Sequence, residues 1–216
     1  MPGLSRTVQA AAAAALPLLW ANRVLPALRL DIRGRSAANI TFATAYAAVF
    51  HGTPNWRSVQ GFRVGLLTAA VVTAGYASAL TVPATRRHFA DLADRGPDVS
   101  TAEWAALHIP VGTVYSEELI YRATLTPLLE DALGRPGTWL GALSFGLTHI
   151  QPARAAGDPV PGTVAVTTAA GYLFDRLRCH TGSATAPALL HLALNAGGAL
   201  TPRLARRLTG ERTAAE

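Results

Sequence analysis

The chain has 216 residues, half of them apolar and only 15% charged, against roughly 25% charged residues in an ordinary soluble domain. Its 19 basic residues, every one an Arg, face 13 acidic ones for a net charge of +6. So little charge on so apolar a chain excludes a disordered polypeptide and argues against a water-soluble globule. It also leaves no dense basic face of the kind that binds nucleic acid, so no nucleic-acid partner is expected.

Taken in order, six windows contain no Asp, Glu, Lys or Arg: Thr7 to Asn22, Ser36 to Trp56, Val64 to Thr85, Pro136 to Ala153, Pro159 to Phe174 and Cys179 to Pro202. Several approach or pass the roughly 18–20 residues that cross a hydrocarbon core. A seventh, Trp104 to Leu129, is as apolar except for Glu117, Glu118 and Arg122 near its middle. Alternating strands of the barrel type are absent, and lipid admits only helices or closed barrels. The predicted fold is therefore all-α: a polytopic transmembrane bundle of about seven spans, or eight with one more half-helix, forming a single integral membrane domain over 1–216.

The first window is short and Ala-rich, but one Arg precedes it and Arg23, Arg29, Arg33 and Arg35 follow, which resists export. It reads as an uncleaved helix rather than a secretory signal. Arg86 to Thr101 reads as the longest exposed loop. Residues 203–216 read as a basic, frayed C-terminal tail. With seven spans, twelve Arg fall on one side and six on the other, which places the C-terminus in the cytoplasm by the positive-inside rule. The single Cys179 allows no intrachain disulfide.

The chemistry begins where charge enters an apolar helix, at a cost of about 2.5–3.5 kcal/mol per residue mid-membrane unless the charges pair. Glu118 and Arg122 stand four apart in the favourable Glu-first order, on one helix face. Glu117 points about 100° away and has no partner on its own helix. An unpaired carboxylate in an apolar setting suits a general base. The plainer reading is one buried ion network that only ties helices together. Two further intrusions weigh against it: His149, four residues after Phe145, and His191, with Asn195 one turn later on the same face. Each His alone reads as a helix-packing hydrogen bonder. Converging in one bundle, they supply a base, a second titrating group and a donor for a developing oxyanion, a set that fits hydrolysis.

Glu117-Glu118-x-x-x-Arg122, then Phe145-x-x-x-His149, then His191-x-x-x-Asn195, resembles the CPBP family of intramembrane proteases, also called ABI, which includes the CAAX prenyl endopeptidases. The resemblance covers a core of about 104–200. It implies that Glu117 activates water, that His149 and His191 position that water or a metal, and that Asn195 stabilises the oxyanion. It further implies that Arg122 orients the glutamates Glu117 and Glu118, while Phe145 packs the His helix. It implies an intramembrane endopeptidase acting on a membrane-associated or lipid-modified peptide. Glu117, His149 and His191 could together form a three-ligand zinc set. The H-E-x-x-H helix that would fix a metal is absent, so metal-dependent and metal-free mechanisms both stay open.

Two readings from other classes accompany this one: a catalytically silent immunity or scaffold protein, and a small transporter with a Glu/His proton relay. The Arg-only basic set and Ala-rich spans suggest a bacterial inner-membrane protein. His51, His88, His108 and His180 match no motif. Tyr121 reads equally as a hydrogen-bond partner of Glu117 and as a core residue. Gly65, Gly75, Gly141, Gly146, Gly171 and Gly197 read as points of close helix packing.

Overall fold

The computed structural model describes residues 6–210 and is all-helical across them. The helices are α1 (Arg6–Ala27), α2 (Ile32–Phe50), α3 (Val59–Thr81), α4 (Pro83–Asp91), α5 (101–133), α6 (Arg135–Leu147), α7 (Val160–Thr181) and α8 (Thr185–Thr209). A seven-residue helical stretch, Ile150–Ala156, lies between α6 and α7.

Local chemistry sets these limits. Asp31, Ser58 and Ser100 precede α2, α3 and α5, and each side chain accepts a backbone N–H of the first turn, from Gly34, Gly61 and Glu103. Gly134, at φ +67°, ends α5 in a backbone region closed to most side chains, and Pro136 opens α6 with a preset φ. Gly182, at φ +63°, ends α7 in the same way.

The central helix is α5, against which α1, α2, α6, α7 and α8 pack. α8 also lies along α3, where a Cβ on Gly65 would come within 2.8 Å of Leu189. Gly171 of α7 meets the Phe145 ring in a similar close approach. Gly75 is different, because open space surrounds it and packing does not require it to be small.

Two helices, Arg6–Ala27 and Val59–Thr81, are long and apolar enough to cross a membrane. The expected count of about seven is not reached by length and composition. The Pro136 to Ala153 window, for example, breaks after Leu147, leaving α6 about 20 Å long at 1.5 Å per residue. Large apolar side chains nevertheless face outward, including Leu67 and Val71 of α3 and Val166 of α7, each about two-thirds exposed. The mostly apolar interior nevertheless holds charge: Glu118, Arg122 and Asp175 are essentially sealed from solvent.

Two further boundaries shift. The apolar window Pro159 to Phe174 ends, in the sequence, where the charged residues Asp175, Arg176 and Arg178 begin. α7 nevertheless runs on to Thr181 because Asp175 turns inward to Arg122 and Arg178 pairs with Glu130. The tail also begins as helix, since α8 carries Arg203, Arg206 and Arg207 to Thr209 and Arg206 bonds Asp94 at 2.7 Å. The remainder of that tail, 211–216, lies outside the described residues.

Candidate active site

α5 is not a regular α-helix around its charged residues. Ser116–Ile120 is a short α-helical stretch between the wider π-helical segments Trp104–Tyr115 and Tyr121–Leu125. Wide turns leave carbonyls without their usual partners, and hydroxyls from five residues along the chain serve them. Ser116 donates to Val111 O at 3.2 Å, and Thr124 donates to Leu119 O at 2.8 Å. Pro110, which has no N–H to give, sits inside the first wide segment. Such segments recur where a helix must present side chains out of regular register.

The two glutamates have separate environments. Glu118 is fully buried, and its Oε1 lies 2.8 Å from Nδ1 of His191 and 3.5 Å from Nη1 of Arg122. A carboxylate can only accept, so the His191 proton facing it is on Nδ1. That leaves Nε2 turned to Glu117, whose Oε2 is 3.7 Å away. The Glu117 side chain is 28% exposed, while its Oε2 is buried with no hydrogen-bond partner.

Aromatic rings fix the charged groups. The Arg122 guanidinium carbon lies 4.4 Å from the Phe145 ring centre and 4.9 Å from that of Phe174, within cation–π range of both. Phe174 also stacks on His191 at 4.9 Å, and Phe145 meets His149 edge-on at 4.9 Å. Phe145 thus links the two histidines as well as packing the helix before His149.

His149 stands just beyond α6, where its Nδ1 donates to Phe145 O at 2.9 Å. With that proton on Nδ1, the Nε2 lone pair is left for another partner. Its position is set by a residue the sequence reading passed over. Asn22 of α1 donates from Nδ2 to Leu147 O and accepts the Gln151 N–H, both at 3.0 Å, so it straddles His149. Glu117, Tyr121, Thr148 and His149 line one pocket of about 180 Å³, with Trp20, Arg35 and Asn39 on its other walls. Tyr121 is a core residue whose hydroxyl donates to Thr148 at 3.3 Å, not to Glu117.

Not every candidate arrives at the pocket. Asn195 is absent from the pocket walls, and its side chain makes no hydrogen bond among the described residues. At its level α8 is held against α3, where the Tyr76 hydroxyl donates to Leu194 O. Among the described residues no three His, Cys, Asp or Glu side chains group as metal ligands. Of the expected zinc set Glu117, His149 and His191, His191 has Nδ1 on Glu118 and Nε2 toward Glu117, which leaves Nε2 as its remaining ligand atom. His108, nine residues before Glu117, belongs to a separate cluster, contacting Ser36 at 2.8 Å and Glu103 at 3.1 Å. Arg33 holds Glu103 in a two-point ion pair, and together these contacts push the Glu103 carboxyl down to about 2.

Two residues that contact the site but were not marked in the sequence are Asn22 and Asp175. A lone Asn in an Ala-rich helix carries no pattern. Asp175 stood at the border of an apolar window, where a charge reads as the start of a loop.

Fold and site define the class: a helical bundle that buries an acid–base cluster between its helices and opens it on one pocket. Residues 99–197, just under half of the chain, match the family model described as type II CAAX prenyl endopeptidase Rce1-like, so this segment is similar to the CPBP, or CAAX protease, family. Members of that family are integral membrane proteins that act on lipidated substrates. No curated protein and no solved structure matches the chain.

Proposed function

We propose that this protein is an intramembrane endopeptidase that hydrolyses a peptide bond of a membrane-associated or lipid-modified protein, with Glu117 as the general base. The observation that carries this reading is Glu117 Oε2: buried, without a hydrogen-bond partner, 3.7 Å from His191 and on the pocket shared with His149. Water held between Glu117 and the Nε2 atoms of His149 and His191 loses a proton to the Glu117 carboxylate. The hydroxide adds to the scissile carbonyl, the C–N bond breaks, and the proton passes to the leaving amine. Glu118 and Arg122 hold His191 in place, and Phe145 holds Arg122 and His149. Asn195, one turn beyond His191 and with its amide unengaged, is assigned to the oxyanion when substrate is bound.

In this reading the helices make about seven spans of a bacterial inner membrane, with the Arg-rich side and the C-terminus in the cytoplasm. The outward-facing Leu67, Val71 and Val166 support a lipid environment.

The test uses purified full chain in detergent and a fluorescence-quenched peptide carrying a prenylated Cys four residues from its C-terminus. Cleavage by wild type and its loss in Glu117→Gln support the reading. Equal cleavage by both overturns Glu117 as the base, and cleavage by neither favours a silent scaffold. Proton flux in liposomes that disappears in the same variant would favour the transporter. Cleavage that survives a chelator identifies a metal-free glutamate mechanism, and loss restored by zinc identifies a metalloenzyme.

A further inference from the structure

Three carboxylates, Glu117, Glu118 and Asp175, surround the buried site, with one permanent cation, Arg122, between two of them. Arg122 Nε lies 3.5 Å from Asp175 Oδ1, Nη1 lies 3.5 Å from Glu118 Oε1, and Nη2 donates to Gly171 O at 3.1 Å. Both carboxylate distances exceed the roughly 2.7–2.9 Å of a closed charge-assisted hydrogen bond. Glu118 Oε1 instead makes its short contact with His191, at 2.8 Å. Asp175 is 1% exposed, and apart from a loose approach of the Thr126 hydroxyl neither of its oxygens has a closed hydrogen bond. An optimised structural ion pair would not leave a buried carboxylate so poorly satisfied, because burial of such a group is costly.

We infer that Asp175 is a positioning residue that acts through Arg122. Its charge, on α7, draws the guanidinium away from full engagement with Glu118 and leaves Glu118 Oε1 to His191. The opposed pulls of Asp175 and Glu118, with the faces of Phe145 and Phe174, hold Arg122 midway. When the Asp175 charge is removed, Arg122 closes on Glu118 in a two-point pair and competes with Nδ1 of His191. His191 then loses its anchor, and Nε2 shifts against Glu117. The catalytic consequence rests on the proposed peptidase reading, whereas the coupling among Asp175, Arg122 and Glu118 does not.

The experiment has two arms on the detergent-purified full chain. In the first, kcat and KM for the prenylated peptide are measured on folded, monodisperse variants. Asp175→Asn is expected to lower kcat about 10- to 100-fold with KM unchanged, the size of loss that follows small misplacement of a reacting group. Asp175→Glu keeps the charge, and with it the fold, but advances the carboxylate by one methylene, so it is expected to lower kcat about threefold to tenfold. Wild-type kcat in either variant, even with a lowered melting temperature, would show that Asp175 only neutralises Arg122 and would overturn the inference. The second arm uses no substrate: a melting cycle of Asp175→Glu, Glu118→Gln and the double variant. Non-additive shifts support the chain through Arg122, and additive shifts overturn it. If wild type cleaves nothing, the peptidase reading fails, and the second arm still decides the coupling.

Discussion

His191 Nδ1 lies 2.8 Å from Glu118 Oε1, while Nε2 of the same ring faces Glu117 Oε2 at 3.7 Å. One imidazole thus connects a sealed carboxylate to one that opens on the pocket. Adjacent residues of the same type acquire different tasks from this arrangement: Glu118 holds the ring, and Glu117 meets whatever enters.

Glu118→Gln and Glu117→Gln should accordingly fail in different ways. Glu118 is fully buried between Arg122 and His191, and breaking one side of such a pair costs about 3–5 kcal/mol. Thermal unfolding in detergent should show a large loss for Glu118→Gln and little change for Glu117→Gln. Cleavage by Glu117→Gln should fall by about 10²–10⁴, the usual contribution of a general base. Equal destabilisation by both would contradict this division.

Phe145 presents its ring to Arg122, Tyr121 and His149. Phe145→Ala should destabilise by about 3–5 kcal/mol through the cavity it leaves. Phe145→Leu restores most of the volume but not the ring face. It should recover much of the melting temperature and little of the activity, because Arg122 and His149 lose the surface that aligns them. Coupled recovery of both quantities would show that bulk alone matters.

Asn22 bonds the chain on either side of His149. Asn22→Ala leaves the Gln151 N–H and the Leu147 carbonyl without that partner, a loss of about 1–3 kcal/mol if no water replaces it. Faster hydrogen exchange at the Gln151 amide than in wild type, with α3 and α8 unchanged, is the expected signature. Unchanged exchange at Gln151 would remove Asn22 from this role.

The Glu103 cluster gives a pH signature away from the site. Its ion pair with Arg33 and its contact with His108 depress the folded-state carboxyl from 4.5 to about 2. A depressed carboxylate pKa adds stability above the unfolded value, and that contribution disappears as pH falls through the folded value. The melting-temperature difference between wild type and Glu103→Gln should therefore be constant above about pH 5 and shrink between pH 4.5 and 2. A difference that grows on acidification would contradict the assignment.

The sequence by itself determined the all-helical class, the apolar windows, the pairing of Glu118 with Arg122 and the three motifs. These are local properties, written in charge-free runs and in four-residue spacings that a helix turns into shared faces. It left the span count open and read Pro136 to Ala153 as one unbroken window, because apolarity alone does not show where a helix stops. Tertiary structure alone decided that Asp175 turns inward, that Asn22 braces His149, and that Asn195 stays off the pocket wall. Asp175 and Arg122 are distant in sequence and meet because Gly171 lets α7 approach Phe145 closely. Such a contact depends on how helices pack, and no spacing within either helix encodes it.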